Sequence, residues 1–251
     1  MSIEVRNLEH SYGSKRVLYD ISFSVDKSKI LCILGPSGSG KSSLLRIIAG
    51  LEQVQQGEIL LDGLLCASSR DSPPPETRPI GLVFQDHALF PHLTASENIA
   101  FGLAQLSKKQ RAEVSREALI SVDLPDVGQR YPHALSGGEQ QRVALARALA
   151  TKPKVMLMDE PFASVDAPLR RRLREDARTS LKDSETATVI VTHDTEEAIV
   201  MADEIMVLVE GRCVQLGTPF ELCENPTHPF TAETISKREM IFGRLEENRV
   251  I

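Results

Sequence analysis

Residues 35 to 42 read Gly35-Pro36-Ser37-Gly38-Ser39-Gly40-Lys41-Ser42, with Ser43 following, and the G-x-x-x-x-G-K-[ST] spacing is that of a phosphate-binding loop. Its glycines let backbone amides close on phosphate oxygens with no side chain in the way. Lys41 adds a fixed positive charge, and the Ser42 hydroxyl suits a hard cation such as Mg²⁺ that bridges the β- and γ-phosphates. The implied chemistry is binding of a nucleoside triphosphate. Asp159 follows the apolar run Val155-Met156-Leu157-Met158, so a strand end delivers a carboxylate able to hold Mg²⁺ directly or through water, as a Walker B aspartate does. Glu160 beside it is the candidate to orient and polarise an attacking water. His193 ends the run Thr188 to Thr192, on the same rim as Lys41 and Glu160 if these strands share a sheet, within reach of a γ-phosphate or the water. Gln85 closes the run Ile80 to Phe84 and offers an amide oxygen to Mg²⁺ or water.

A second anion-binding feature lies about 95 residues beyond the first. Ser136-Gly137-Gly138-Glu139 has the S-x-x-E form of a capping box, so two glycines and a capped helix start expose unpaired amides at the positive end of a helix dipole. One triphosphate has no evident need of two such helix ends.

The elements that must position these groups follow from periodicity. Lys29 to Leu34 is a short apolar run, and Ser43 to Ala49 has helical spacing ended by Gly50, which gives the strand, loop and helix that the phosphate motif demands. The segments 3–8 and 17–25 read as strands, so the N-terminal part is β-rich. A further strand around 57–63 ends in an Asp-Gly turn, and Asp71-Ser72-Pro73-Pro74-Pro75 marks an exposed loop. From residue 85 to about 150 the pattern is helical, with capping boxes at Thr94/Glu97 and Ser136/Glu139. Apolar runs at 155–158 and 188–191 then return as buried strands. Strands alternating with helices predict a mainly parallel α/β core with active groups at the carboxyl ends of its strands.

Composition narrows the function classes. The 251 residues, 41% apolar and 25% charged, suffice for a sizeable core. No apolar stretch approaches a membrane span and the charged start is not a signal peptide, so a soluble, cytoplasmic protein is expected. The four cysteines are scattered without C-x-x-C spacing, which favours neither disulfides nor zinc. A net charge of −6 gives no general attraction to nucleic acid. The dense basic run Arg170-Arg171-Arg172 with Arg174, followed by Glu175 and Asp176, reads as a solvated helix face.

Taken together, and with Leu135-Ser136-Gly137-Gly138-Glu139-Gln140 in the place of a signature motif, the chain resembles the ATP-binding cassette family from Tyr12 to His193, with several independent motifs in order. The resemblance implies a P-loop NTPase core of RecA-like type, with an N-terminal antiparallel β subdomain and an inserted α-helical subdomain. It sets the cassette at residues 1–236, the helical insertion at about 87–150 and a short tail at 237–251, with no regulatory β domain. It further implies ATP and Mg²⁺ as cofactors. Tyr12 would stack on the adenine, although by itself it reads equally as a strand aromatic. Residues Gly35 to Ser43 would wrap the phosphates, Ser42, Gln85 and Asp159 would hold Mg²⁺, and Gln85 would couple the metal to a membrane partner. Glu160 would be the catalytic base and His193 would hold the γ-phosphate. Ser136, Gly137, Gly138, Glu139 and Gln140 would act in trans on a nucleotide bound by a second copy. Asp166 is retained in a segment resembling the D-loop, but Ala163 stands where a serine is usual.

The expected role is that of the ATPase subunit of a multi-chain importer, peripheral on the cytoplasmic face of the inner membrane. Its expected partners are a second copy, membrane permease subunits and, indirectly, a solute-binding protein, with no nucleic acid. The stretch Phe84 to Thr94 is similar to ferric-iron importers, which gives a weak preference for iron as cargo. His87 and His92 are not read as iron ligands, and Phe90 and Leu93 fit a core or a docking surface equally. The alternative is a soluble cassette ATPase acting on DNA or ribosomes.

Overall fold

The computed structural model describes residues 2–84, 88–163 and 167–237 of the chain, with side chains of the 167–183 helix described from Arg170, and the backbone of two short strands at Leu245–Glu246 and Arg249–Val250. The chain opens with β1 (Ile3–Tyr12) and β2 (Lys15–Val25), and then β3 (Ile30–Leu34) leads through the phosphate loop into α1 (Lys41–Ala49). A hairpin of β4 (Gln56–Leu61) and β5 (Leu64–Ser68) turns at Asp62-Gly63 as its sequence demands. β6 (Ile80–Val83) precedes the helices α2 (Ala95–Ala100), α3 (Lys108–Ser121) and α4 (Gly137–Ala150). The remainder alternates: β7 (Val155–Asp159), α5 (Ala167–Asp183), β8 (Ala187–Thr192), α6 (Thr195–Met201), β9 (Glu204–Val209), β10 (Arg212–Gly217) and α7 (Pro219–Glu224).

Two sheets result. One is four-stranded and antiparallel, in the order β2-β1-β4-β5, and the other is six-stranded, in the order β10-β9-β3-β8-β7-β6. In the second sheet β9, β3, β8, β7 and β6 run parallel and β10 is the antiparallel edge. Alternation along each parallel strand divides its side chains between two cores. Leu31 and Ile33 of β3 and Val155 and Leu157 of β7 face the antiparallel sheet and α1, whereas Cys32, Leu34, Met156 and Met158 face α4, α5 and α6. A sheet buried on both faces explains why its strands are apolar runs without polar alternation. A third core, from Ala95, Ile99, Leu119, Val143 and their neighbours, holds α2, α3 and α4 together.

The helix starts are set by local chemistry. Thr94 and Ser136 form their expected capping boxes with Glu97 and Glu139, and Ser107 and Thr218 form two more. Asn98, fully buried on α2, clamps the preceding loop. Its amide oxygen accepts from Phe90 N at 2.8 Å, and its Nδ2 donates to the carbonyls of Phe90, Leu93 and Thr94. Phe90 and Leu93 are half-buried, and the Phe90 ring packs on Phe101 at 4.3 Å.

The carboxyl end of α1 is closed by Gly50 at φ +83° and by Arg78, whose buried guanidinium donates to the carbonyls of Ile47 and Ile48 at 2.8 Å each. These are helix-end acceptors, of which Ile47 O also accepts from the capping Gly50 N at 3.1 Å. Arg78→Ala is therefore expected to lower unfolding free energy by about 2–4 kcal/mol, since two buried acceptors lose a charged donor. A urea titration checks this, and an unchanged midpoint at unchanged slope would remove Arg78 from the set of stabilising contacts.

Candidate functional site

Strand register brings the chemistry together. Leu34 of β3 lies opposite Thr192 of β8, and Val191 of β8 lies opposite Asp159 of β7. The residues that follow, Gly35, His193 and Glu160, leave the sheet side by side at one rim. The loop then needs two of its glycines for space. A Cβ on Gly35 would collide with the Leu208 carbonyl, and one on Gly40, at φ +101°, would lie 2.8 Å from the Val17 carbonyl and from Leu18 Cδ2. The turn between β9 and β10 braces the loop, because Gly211 N donates to Ser39 O at 3.0 Å while Tyr19 N donates to Gly211 O at 2.8 Å.

Lys41 is 6% exposed, and its Nζ donates to the carbonyls of Gly35 and Pro36 at 2.8 and 2.9 Å. Burial lowers the pKa of this ammonium, with Glu160 and Asp159 opposing the shift. Ser42 Oγ donates to Asp159 Oδ1 at 3.3 Å, which joins the start of α1 to the end of β7. Burial raises the Asp159 carboxyl above its ordinary range, opposed by the Ser42 hydrogen bond, and Glu160 adds like-charge repulsion. Glu160 occupies the left-handed region at φ +45°, and its backbone N–H donates to Val191 O at 2.8 Å. A glutamate in that conformation is held there by its surroundings, a pattern concentrated at functional sites. Glu160 Oε1 stands 3.0 Å from His193 Nδ1.

A cavity of about 310 Å³ opens above these groups, lined by Val17, Ser37, Gly38, Gly40 to Ser43 and Glu160. Tyr12 stands beside it, half-exposed, its hydroxyl 3.2 Å from Ser43 Oγ and donating to Glu52 at 2.5 Å, with His10 packed edge-on against the ring at 4.8 Å.

The sequence-predicted residues thus fall into two groups. Tyr12, Gly35 to Ser43, Asp159, Glu160 and His193 are brought together at one rim. Ser136, Gly137, Gly138 and Glu139 are not among the residues lining that cavity. Ser136 and Gly137 are exposed at the start of α4, where Ser136 Oγ accepts from Glu139 N, Glu139 Oε2 accepts from Ser136 N at 2.7 Å, and Arg130 pairs with Glu139 at 3.1 Å. Gln140 donates to the carbonyls of Pro132 and Leu135, fixing the approach to the helix. Gln85 and Asp166 lie outside the described residues. Ala163 is exposed in the turn after Glu160, and its N–H donates to Glu160 O at 3.2 Å.

Residues 18–163 match the family described as ABC transporter. The chain belongs to this family. It is an ATPase cassette, and the nucleotide read from the loop is ATP. Over 256 residues the cassette is 43% identical to the sulfate/thiosulfate import ATP-binding protein of Halalkalibacterium halodurans, an alignment that covers 100% of this chain and 71% of that protein. Over 249 residues it is 43% identical to the putrescine transport ATP-binding protein of Escherichia coli, with 98% of this chain and 65% of the relative covered. A solved dimeric ATP-binding cassette in a post-hydrolysis state bound to ADP and Pi matches with a TM-score of 0.73 at 28% identity, over 86% of this chain and 98% of that chain. The P-loop NTPase architecture expected from the motifs is therefore the fold of this chain.

One reading of the sequence is corrected. The basic run was expected on a solvated face, and Arg171 and Arg172 are exposed and paired with Glu175 and Asp176 one turn on. Arg174, however, is 2% exposed. It points inward because Asp194 and Glu197 sit beneath α5 and supply carboxylates to an otherwise costly buried cation. The sequence reading also passed over Asn98, although it is a polar residue on the apolar stripe of Ala95 and Ile99.

Because the folded Asp159 carboxyl has a raised pKa, the state favoured by folding is the protonated one. Its stabilising effect is present below the ordinary carboxylate range and lost as pH rises through the folded value. At pH 7 the ionised group is a cost, so Asp159→Asn is expected to raise the melting temperature by a few degrees without nucleotide. The gain should shrink as pH falls below the ordinary carboxylate range. Calorimetric scans across pH test this, and a destabilised variant at pH 7 would contradict it.

Proposed function

We propose that residues 1–236 form one cassette, with its helical insertion at about 87–150, that hydrolyses ATP as the energy-coupling subunit of an importer. The separation of the Ser136 to Glu139 helix start from the Lys41 cavity carries this reading. Both are helix ends suited to an anion, and one triphosphate uses both if the second comes from another copy. The dimeric assembly of the solved relative supports that arrangement. In it Tyr12 stacks on the adenine, Gly35 to Ser43 wrap the phosphates of one copy, and Ser136 to Gln140 of the other copy close over them.

The donor set suits Mg²⁺. A hydroxyl and a carboxylate 3.3 Å apart, Ser42 and Asp159, are hard oxygen ligands that would hold the cation, whose charge would offset that of the phosphates. Lys41 exchanges its loop carbonyls for phosphate oxygens. Glu160 takes a proton from a water whose oxygen bonds to the γ-phosphorus, the bond to the bridging oxygen breaks, and ADP leaves with that oxygen and its electron pair. His193 faces the Glu160 carboxylate through Nδ1, 3.0 Å away, and holds the γ-phosphate by donating from Nε2–H.

No helix of the described residues is long and apolar enough to cross a membrane, so transport requires a permease contributed by another chain. We assign the cassette to the cytoplasmic face of that permease. The iron preference finds no support in the relatives, whose names give sulfate or thiosulfate and putrescine, and the cargo belongs to the permease and its solute-binding protein rather than to this chain.

Glu160→Gln is expected to bind ATP, to lose about 10²-fold or more in turnover, and to dimerise when ATP is added. Phosphate release and light scattering measure both effects, and brisk hydrolysis by the variant would refute Glu160 as the base. Lys41→Ala should weaken ATP binding by about tenfold to a hundredfold, the value of one charged hydrogen-bond donor. Calorimetry showing unchanged affinity would exclude the loop assignment.

A further inference from the structure

The Glu160–His193 pair rests on a partly buried ionic cluster that the sequence reading did not find. The imidazole is 58% exposed, with Glu160 at 3.0 Å as its partner, so its own packing does little to fix it. Its two neighbours in the chain are, by contrast, locked. Thr192 Oγ1 donates to Glu197 Oε2 at 3.1 Å and accepts from Asp194 N at 3.0 Å, and Asp194 Oδ1 accepts from Glu197 N at 3.1 Å as the cap of α6. Arg174 enters this cluster from α5. Its Nη2 donates to Asp194 Oδ2 at 2.5 Å and lies 3.8 Å from Glu197 Oε2, and Nη1 lies 3.7 Å from Glu196 Oε2. Arg170, one turn earlier, stands 3.6 Å from the same Asp194 oxygen. A cavity of about 90 Å³ touches both layers, its walls including Glu160, Ala163, Arg170, His193 and Glu197.

We infer that Arg174 is a positioning residue for ATP hydrolysis: its guanidinium clamps Asp194 and so fixes the backbone that presents His193 to Glu160. The inference rests on the reading of Glu160 and His193 given above. A guanidinium suits the task because its fork is planar, always charged and able to engage two carboxyl groups at once, which a lysine cannot reproduce. The charges favour Asp194 as the ionic partner. Although burial opposes it, the Glu197 amide and Arg174 hold the Asp194 carboxyl below the usual range. Burial meanwhile pushes Glu197 up to about 8, against the pull of Arg174, so Asp194 is the firmer anionic partner. The clamp also has a direction along the chain. α5 begins at Ala167, seven residues after Glu160, so one guanidinium ties the helix that follows the base to the strand end that carries its histidine.

A double-mutant cycle in the full chain tests this, with ATP affinity, single-turnover hydrolysis and melting temperature read for Arg174→Gln, His193→Ala and the double variant. Arg174→Gln is expected to bind ATP within about twofold of the parent and to hydrolyse it about tenfold more slowly. That loss should vanish in the His193→Ala background, because a positioning residue has nothing left to position. An unchanged rate for Arg174→Gln, or the same tenfold loss in both backgrounds, overturns the inference while leaving the roles of Glu160 and His193 intact. Full activity of His193→Ala would instead overturn the underlying reading, and this inference with it. If Arg174→Gln does not fold, Asp194→Asn keeps the shape of the cap while removing the ionic partner, and the same cycle is read with it.

Discussion

Everything at the rim depends on the register of three parallel strands. β3, β8 and β7 are aligned so that Leu34, Thr192 and Asp159 reach the edge of the sheet together, and a shift of one residue in any of them would send the next side chain to the opposite face. That register is held by two cores, since each strand alternates between the layer under the antiparallel sheet and the layer under α4 to α6. The order of the apolar residues therefore decides where a phosphate loop, a carboxylate and an imidazole meet. A parallel sheet delivers these groups to one edge because its strands all end on the same side.

What the rim gains in chemistry it loses in local stability. Lys41 is buried and directed onto carbonyls, Asp159 is a desolvated carboxylate beside Glu160, and Glu160 is held at positive φ. Each feature costs free energy in the isolated fold, and a bound phosphate would relieve the first by giving the buried Lys41 ammonium an anionic partner. Such a site is rigid only because its supports lie elsewhere: Arg78 closing the far end of α1, Gly211 bracing the loop through Ser39, and the sheet register itself. Strain at the chemistry is sustained by well-packed elements around it.

The phosphate loop, the Walker carboxylates, His193 and the capping boxes at Thr94 and Ser136 were legible because each is fixed by local rules. Close anion approach needs glycine, a helix start needs a cap, and a strand buried on both faces needs an apolar run. The features that escaped are set by what packs against them. Arg174 sits in a run whose neighbours pair with carboxylates one turn on, the pattern of a solvated face, and its burial depends on Asp194 and Glu197 about 20 residues away. Asn98 is a helix residue whose three carbonyl partners belong to the loop before it. The bracing role of Gly211 arises from a tertiary contact with the loop and with β2, which no spacing encodes.

Under the dimer reading proposed above, the start of α4 is a residue set whose purpose lies outside its own chain. Ser136 caps its helix through Glu139, so within the protomer its local chemistry is complete, yet Ser136 and Gly137 remain exposed at the positive end of α4. The phosphate cavity, for its part, is lined by Val17, the loop and Glu160, with no residue of the α4 start among them. In the proposed dimer these two anion-binding ends meet across a two-fold operation, the loop of each copy against the α4 start of the other. The exposed turn at Ala163 lies directly between Glu160 and the helix that carries Arg174. In the proposed dimer, a contact made there by a second copy would bear on the segment that joins the proposed base to that helix.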